Sequence, residues 1–278
     1  MITCKLQGGL GNQLFQIFTT IAYALTNTSP FFFLNESQLG EGSNTIRYTY
    51  WTSFLKSLQP FLQKTNYSGL KMIREPSFKY NLLPQNVNND DIMLFGYFQS
   101  PLYFETYKST IYKLIKLEQQ QLTLKTKLNF NFDLNQTISI HFRLGDYKKY
   151  PTIHPILDQT YYKTAISTIQ TKTNDITTVL YFCENDDVHD VNISIGILTN
   201  SFPHLQFVRA DPLLEDWEQL LLMSLCAHNV IANSTFSWWG AYLSNNQYKI
   251  VCYPSVWFGP QAPHDTSTLF PLNWTKIN

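Results

Sequence analysis

The sequence predicts an α/β chain built on parallel sheets, and three observations carry that reading. Strand-like and helix-like segments alternate through the second half. A glycine turn joins a short N-terminal strand to a helix. Charged and polar residues gather where strands are expected to end. Alternation of this kind implies a doubly wound sheet, and such sheets bind ligands outside the carboxyl ends of their strands.

Taken in order, residues 2–6 read as a strand, turned by Gly8-Gly-Leu-Gly11. Residues 12–25 continue with helical spacing of Leu14, Phe15, Phe18, Ile21, Ala22 and Leu25. The glycines do not follow G-x-G-x-x-G, so a nicotinamide dinucleotide site has no support. They make a tight turn, or they let a ligand approach the backbone. Residues 31–34 form a buried strand, residues 40–90 are polar, aromatic and irregular, and residues 92–98 form a strand followed by one helix over about 104–122. The polar, aperiodic stretch 126–135 marks a domain boundary, giving domains 1–128 and 129–278.

The second domain alternates more cleanly. A strand over 137–143 precedes a loop rich in Lys, Tyr, Pro and His, and a helix starts at Asp158. Strands follow at 176–183 and 205–208. Asp211 and Pro212 read as the N-cap and first residue of a helix reaching Ala227. A strand at 229–232, a helix at 235–243 and a strand at 249–253, stopped by Pro254, complete the pattern.

Bulk properties narrow the function. Lys plus Arg equals Asp plus Glu, for a net charge of zero, and the longest basic run is Lys148-Lys149. A nucleic-acid partner needs a clustered basic surface, so none is expected. Cys4, Cys183, Cys226 and Cys252 are far apart and form no C-x-x-C, so they read as buried thiols in a reducing compartment. The first residues have neither the apolar length of a signal peptide nor that of a membrane anchor, and the expected location is cytoplasmic. G-x-S-x-G, H-E-x-x-H and P-loop motifs do not occur.

Two stretches can carry chemistry. In Ile138-Ser-Ile-His-Phe-Arg143, the residues Ile138, Ile140 and Phe142 alternate with Ser139, His141 and Arg143. His141 and Arg143 therefore share a face as a cation pair, with Asp146 close behind, suited to an anion. The bland alternatives are a structural histidine and a surface ion pair between Arg143 and Asp146. The second stretch, Asn233-Ser-Thr-Phe-Ser-Trp-Trp-Gly240, puts hydroxyls and amides at a helix N-terminus. Unpaired N–H groups and the helix dipole favour phosphate there, although ordinary capping by Ser234 or Thr235 explains the same residues. Glu184-Asn-Asp186 falls short of the Asp-x-Asp that holds Mn²⁺ or Mg²⁺ in metal-dependent sugar transferases, and reads as loop acids before a helix. Trp238, Trp239, Trp257 and Phe258 are core residues or a stacking surface.

Four blocks resemble the α-1,2-fucosyltransferase family. Gly8-Gly-Leu-Gly-Asn-Gln-Leu-Phe-Gln16 is similar to its opening block, and His141-Phe-Arg-Leu-Gly-Asp-Tyr147 to its H-x-R-R-x-D block. His154-Pro-Ile-Leu157 with Tyr161 and Tyr162 resembles the segment after it, and residues 222–243 the C-terminal block. The resemblance implies an inverting enzyme of GT-B type, with two Rossmann-like domains and a donor cleft between them. The first domain would lie on the acceptor side and the second would bind GDP-L-fucose. The acceptor would be a galactose-terminated oligosaccharide, fucosylated on the 2-hydroxyl, with no cofactor and no metal. It implies Arg143, Asp146 and His141 as catalytic residues. Arg143, Asn233, Ser234, Thr235, Phe236, Ser237, Gly8, Gly9, Gly11, Asn12, Gln13 and Asp216 would bind the donor, and His154 and Tyr161 the acceptor. Asp146, His154 and Asp216 are its candidates for the base. Where the family has a second arginine this chain has Leu144, which the alternation points away from Arg143. Rival readings are a transferase with another nucleotide sugar and a catalytically impaired carbohydrate-binding homologue.

Overall fold

The computed structural model describes residues 1–40, 46–64, 68–85 and 90–278. The chain divides into two compact units, Met1–Gln120 with His264–Pro271, and Gln121–Pro263 with Leu272–Asn278. The first contains β1 (Ile2–Cys4), α1 (Leu10–Thr26), β2 (Phe33–Leu34), β3 (Gln38–Leu39), β4 (Arg47–Tyr48), β5 (Leu62–Gln63), β6 (Lys71–Arg74), β7 (Ile92–Phe95) and α2 (Lys108–Leu114). Strands β6, β7 and β1 make a parallel sheet with β7 in the middle. Helix α1 packs on β1 and buries Leu14, Phe15, Phe18 and Ile21 completely, as its apolar spacing requires. Residues 264–271 return to this unit, where Thr268 accepts a hydrogen bond from Tyr80 N (2.7 Å) and its carbonyl accepts one from Ser100 (2.6 Å).

The single helix expected over 104–122 is broken. Helix α2 ends at Leu114, Lys116 takes a left-handed φ of 54°, and α3 (Leu117–Lys127) starts anew. The break lets Ile115 and Leu117 both be fully buried, which the 100° spacing of a continuous helix would not place on one side.

After α3 come β8 (Thr137–His141), α4 (Gln159–Gln170), β9 (Thr178–Phe182), α5 (Val188–Ser201), β10 (Gln206–Arg209), α6 (Asp216–Leu225), β11 (His228–Val230), α7 (Thr235–Tyr242), β12 (Val251–Pro254) and β13 (Thr275–Ile277). Six parallel strands lie in the order β10-β9-β8-β11-β12-β13. The chain steps outward from β8 through β9 to β10, returns to lay β11 against β8, and then steps the other way. Helix α4 packs with α5, and α6 with α7. Strands β8 and β9 are buried at every position, as strands of a covered parallel sheet should be. Ile138, Ile140, Phe142 and Leu144 join one hydrophobic cluster with Tyr162, Ala165, Ile166 and Ile169 of α4. Leu144 is thus core, on the side away from Arg143.

Helix α6 begins later than expected. Asp211 accepts from Leu213 N (2.9 Å) and makes only a turn, while Glu215 and Glu218 form a reciprocal capping box that starts the helix at Asp216. Trp238, Trp239 and Trp257 are buried, with Trp238 stacked on Tyr242 at 4.6 Å, so the core reading of these tryptophans holds. All four cysteines are free thiols; Cys183 is half-buried and the others are buried. Among the described residues, no helix is long and apolar enough to cross a membrane.

Candidate functional site

Strand order reverses between β8 and β11, and in doubly wound sheets that reversal opens the crevice in which ligands bind. The last pair between β8 and β9 is His141 with Phe182, and Phe142 N still reaches Phe182 O at 2.9 Å. Carried two residues further, this register sets Arg143 opposite Glu184. Carried three residues beyond Val230 and Ile140, the register with β11 sets it opposite Asn233.

At the end of β8 the chain tightens into a 3₁₀ turn, Gly145–Lys149. Gly145 has φ +34°, and a Cβ there would stand 2.9 Å from Glu184 Oε2 and 3.2 Å from Arg143 Nη1, so the turn requires glycine. Buried Asp187 pins it, accepting from Gly145 N (2.7 Å) and Lys148 Nζ (2.7 Å). Lys148 also pairs with Asp190 at 2.6 Å.

Arg143 is held from three sides. Nη1 donates to Glu184, Nη2 donates to Asp146, and the guanidinium lies 4.9 Å from the Tyr147 ring centroid. Burial works against its charge, but the Asp146 and Glu184 carboxylates outweigh burial and raise its pKa.

His141 behaves differently from the expectation of a cation pair. It is 8% exposed, its ring lies 5.5 Å from that of Phe236, and Nδ1 is buried without a hydrogen-bond partner. Burial, reinforced by the neighbouring Arg143 charge, pushes its pKa down to about 3. The imidazole is therefore neutral, and the pair reduces to Arg143.

The end of β11 is built from neutral groups. Ser234 caps α7, accepting from Phe236 N at 3.3 Å. Asn233 Nδ2 donates to Pro155 O (2.9 Å) and Trp257 O (3.2 Å), and the Asn233 carbonyl accepts from Tyr147 OH (3.0 Å). Ser237 Oγ donates to Ser234 O at 3.3 Å. The side-chain donors of Asn233 and Ser237 thus hold the turn through backbone carbonyls, while Asn233 Oδ1 is buried without a hydrogen-bond partner. Thr235 and Phe236, half-buried, open the helix.

The loop carrying His154 is tied down by Gly259 N to Ile153 O (2.8 Å) and Gln261 N to Thr152 O (3.1 Å). His154 stacks on Tyr147 at 4.5 Å and 16°. Burial lowers its pKa, with Asp146 opposing and Arg143 adding to the shift. Tyr161 is 8% exposed, and its hydroxyl lies between Ile231 O (2.5 Å) and Cys252 O (3.2 Å). It braces β11 and β12 from α4. Asp216 is exposed at the first position of α6, beyond edge strand β10, and accepts from Trp217 N at 2.7 Å.

In the first unit, Gly8 has φ +74°, and a Cβ would lie 2.4 Å from Asn12 Nδ2. Gly9 precedes α1, whose first turn includes Gly11 and has neither a side-chain cap nor an acid. Gln13, expected as a donor contact, is fully buried and braces the turn through Gly8 O (3.0 Å) and Tyr48 O (2.9 Å). Asn12 Oδ1 accepts from Gln99 Nε2 at 3.1 Å.

Glu184 was not recognisable as a partner of Arg143 from the sequence. The missing signal was sheet order: only the β8–β9 register brings residue 184 to residue 143. Among the described residues, no three His, Cys, Asp or Glu side chains gather as a metal site.

A model of glycosyl transferase family 11 matches residues 1–278. The chain is 28% identical over 313 aligned positions to the O-antigen biosynthesis glycosyltransferase WbnK of Escherichia coli, covering 100% of both. It is 22% identical over 303 positions to an alpha-1,2-colitosyltransferase of Escherichia coli, covering 100% of this chain and 99% of the other. Among solved structures it is similar to ADP-heptose LPS heptosyltransferase II of Escherichia coli, with a TM-score of 0.37 and 13% identity over 58% of this chain and 43% of that one. It is also similar to a glycosyl transferase family 9 protein of Veillonella parvula, with a TM-score of 0.32 and 9% identity over 58% and 39%. The match spans less than half of either structure.

Proposed function

Because the chain belongs to glycosyl transferase family 11, and so is a transferase taking a nucleotide-sugar donor and a glycan acceptor, we propose that it moves L-fucose from GDP-β-L-fucose to the 2-hydroxyl of a terminal galactoside. The observation that carries this reading is the Arg143 guanidinium at the strand-order reversal, next to the turn that opens α7. A fixed cation there is suited to a diphosphate leaving group.

In this mechanism the bond from sugar C1 to the diphosphate oxygen breaks, and its electron pair leaves with GDP. Arg143 meets the growing negative charge, and the Thr235 end of α7 adds the positive end of its dipole. The acceptor oxygen attacks from the opposite face and inverts C1. Its proton passes to a base, for which Asp146 and His154 are the groups surrounding Arg143. Protein groups supply the charge stabilisation in this scheme, so no metal takes part in it. Leu144 lies in the core, so its presence leaves Arg143 in place and favours an active enzyme over an impaired homologue.

A second reading, the same chemistry with another sugar, is favoured by the relative named for colitosyl transfer. Incubation with GDP-fucose, a panel of other labelled sugar nucleotides and several galactosides, with EDTA present, separates the two. We expect transfer from GDP-fucose to persist in EDTA. Transfer only from another nucleotide sugar would replace the donor. Loss of all transfer in EDTA would overturn the metal-free scheme, and GDP binding without turnover would support the impaired homologue.

A further inference from the structure

We propose that Glu184 is a displaceable counter-ion, which occupies Arg143 until a diphosphate takes its place and so sets how tightly the site holds a nucleoside diphosphate. This rests on the reading that Arg143 receives the donor's diphosphate.

Both terminal nitrogens of Arg143 are engaged by carboxylates, Nη1 by Glu184 and Nη2 by Asp146. A diphosphate approaching the same guanidinium meets two negative charges and finds its donors occupied. One carboxylate has to leave, and the structure distinguishes them. Asp146 sits inside the Gly145–Lys149 turn, three residues from Arg143. That turn is clamped by Asp187 at Gly145 N and at Lys148 Nζ, and by Asp190 at Lys148 Nζ. These bonds fix the Asp146 backbone, and its side chain, one bond shorter than that of Glu184, has less reach to swing away from Nη2.

Glu184 comes from the end of β9, and its side chain is 56% exposed. Its backbone is fixed, because its carbonyl accepts from Asp187 N at 3.1 Å, but its carboxylate lies over the bare Cα of Gly145. A rotation about its own side-chain bonds releases Nη1 without disturbing the turn. Asp146 then keeps Nη2, and the Tyr147 ring keeps the guanidinium plane. The exchange replaces one anion with another at a single position, so Nη1 has an anionic acceptor both empty and filled.

Removing the charge of Glu184 while keeping its shape should therefore tighten nucleotide binding. An exposed ion pair is worth up to about 1 kcal/mol, which corresponds to about a fivefold change in affinity. The test is calorimetric titration of GDP into the wild type, Glu184→Gln and Glu184→Ala at low ionic strength, where such pairs are least screened, together with donor KM and kcat. Both variants should bind GDP about three- to fivefold more tightly, and the donor KM should fall. Equal or weaker GDP binding in both variants, or a fall in kcat with an unchanged KM, would show that Glu184 only aims Arg143 and would overturn the inference. Absence of GDP binding by the wild type and both variants would sink the diphosphate reading as well, which separates the two failures.

Discussion

Two neighbouring strand ends, those of β8 and β11, meet at the strand-order reversal and are built on opposite principles. The end of β8 is ionic. Arg143 lies between the half-exposed carboxylates of Asp146 and Glu184, and Lys148 between Asp187 and Asp190. The end of β11 is neutral and buried, with Asn233, Ser237 and Tyr161 directing their donors to backbone carbonyls. The exposed Arg143–Glu184 pair can exchange partners because such pairs are weak, while buried Asp187 keeps Lys148 and the turn in place. A buried donor aimed at a carbonyl does not exchange, because leaving that carbonyl unsatisfied costs about 1–3 kcal/mol. On the proposed function, the response to an incoming anion belongs to β8 and the fixed frame to β11.

The largest effect expected from this contrast is at Arg143. Arg143→Ala removes the cation at the charged end and should lower turnover about 100- to 1000-fold, the range for losing a positioned donor at a developing charge. The unfolding midpoint should move little, since the side chain's partners are exposed carboxylates. Near wild-type transfer by this variant would break the assignment of charge handling to β8.

His141 stands where the two ends touch, its ring against Phe236, and it sharpens the contrast through pH. Its pKa is pushed from 6.5 to about 3 in the folded protein. The unfolded chain thus binds a proton that the fold excludes. This contribution to stability is complete above about pH 6.5 and is lost as pH falls from there toward 3, at up to about 1.4 kcal/mol per pH unit. His154 and His228 are shifted in the same direction and add to the slope. Urea unfolding between pH 7 and 4 should show the loss, and His141→Gln should flatten it. An unchanged slope in that variant would show that His141 is accessible to protons and belongs with the ionic end.

Much of this was legible in the sequence, for reasons particular to the residues. The alternation of Ile138, Ile140, Phe142 and Leu144 with Ser139, His141 and Arg143 separates core from site, because period two in a strand permits no other arrangement. Asp158 and Ser234 cap α4 and α7 as their residue types predict. What the sequence withheld depends on tertiary placement. Whether His141 is charged depends on burial, and the pairing of Arg143 with Glu184 depends on which strand lies beside β8. The start of α6 depended on a competition between two acidic caps, and the box formed by Glu215 and Glu218 prevailed over Asp211. In residues 104–122 the helical spacing hid a break that only the left-handed Lys116 reveals.

The smallest effect tests the frame itself. Tyr161 reaches from α4 to the carbonyls of Ile231 and Cys252 with a single hydroxyl, and burial raises its pKa well above the usual tyrosine range, so it remains a donor throughout the working pH range. Tyr161→Phe keeps the ring and removes that donor, leaving two buried carbonyls short of it. Stability should fall by about 1 kcal/mol, the net value of a typical buried hydrogen bond, read as a lower urea midpoint with an unchanged slope. Acceptor KM should be unaffected, because a residue enclosed between α4 and the β11–β12 pair does not contact a saccharide. A raised acceptor KM at full stability would be the opposite pattern. It would return Tyr161 to the acceptor and show that the end of β11 is a binding surface as well as a support for one.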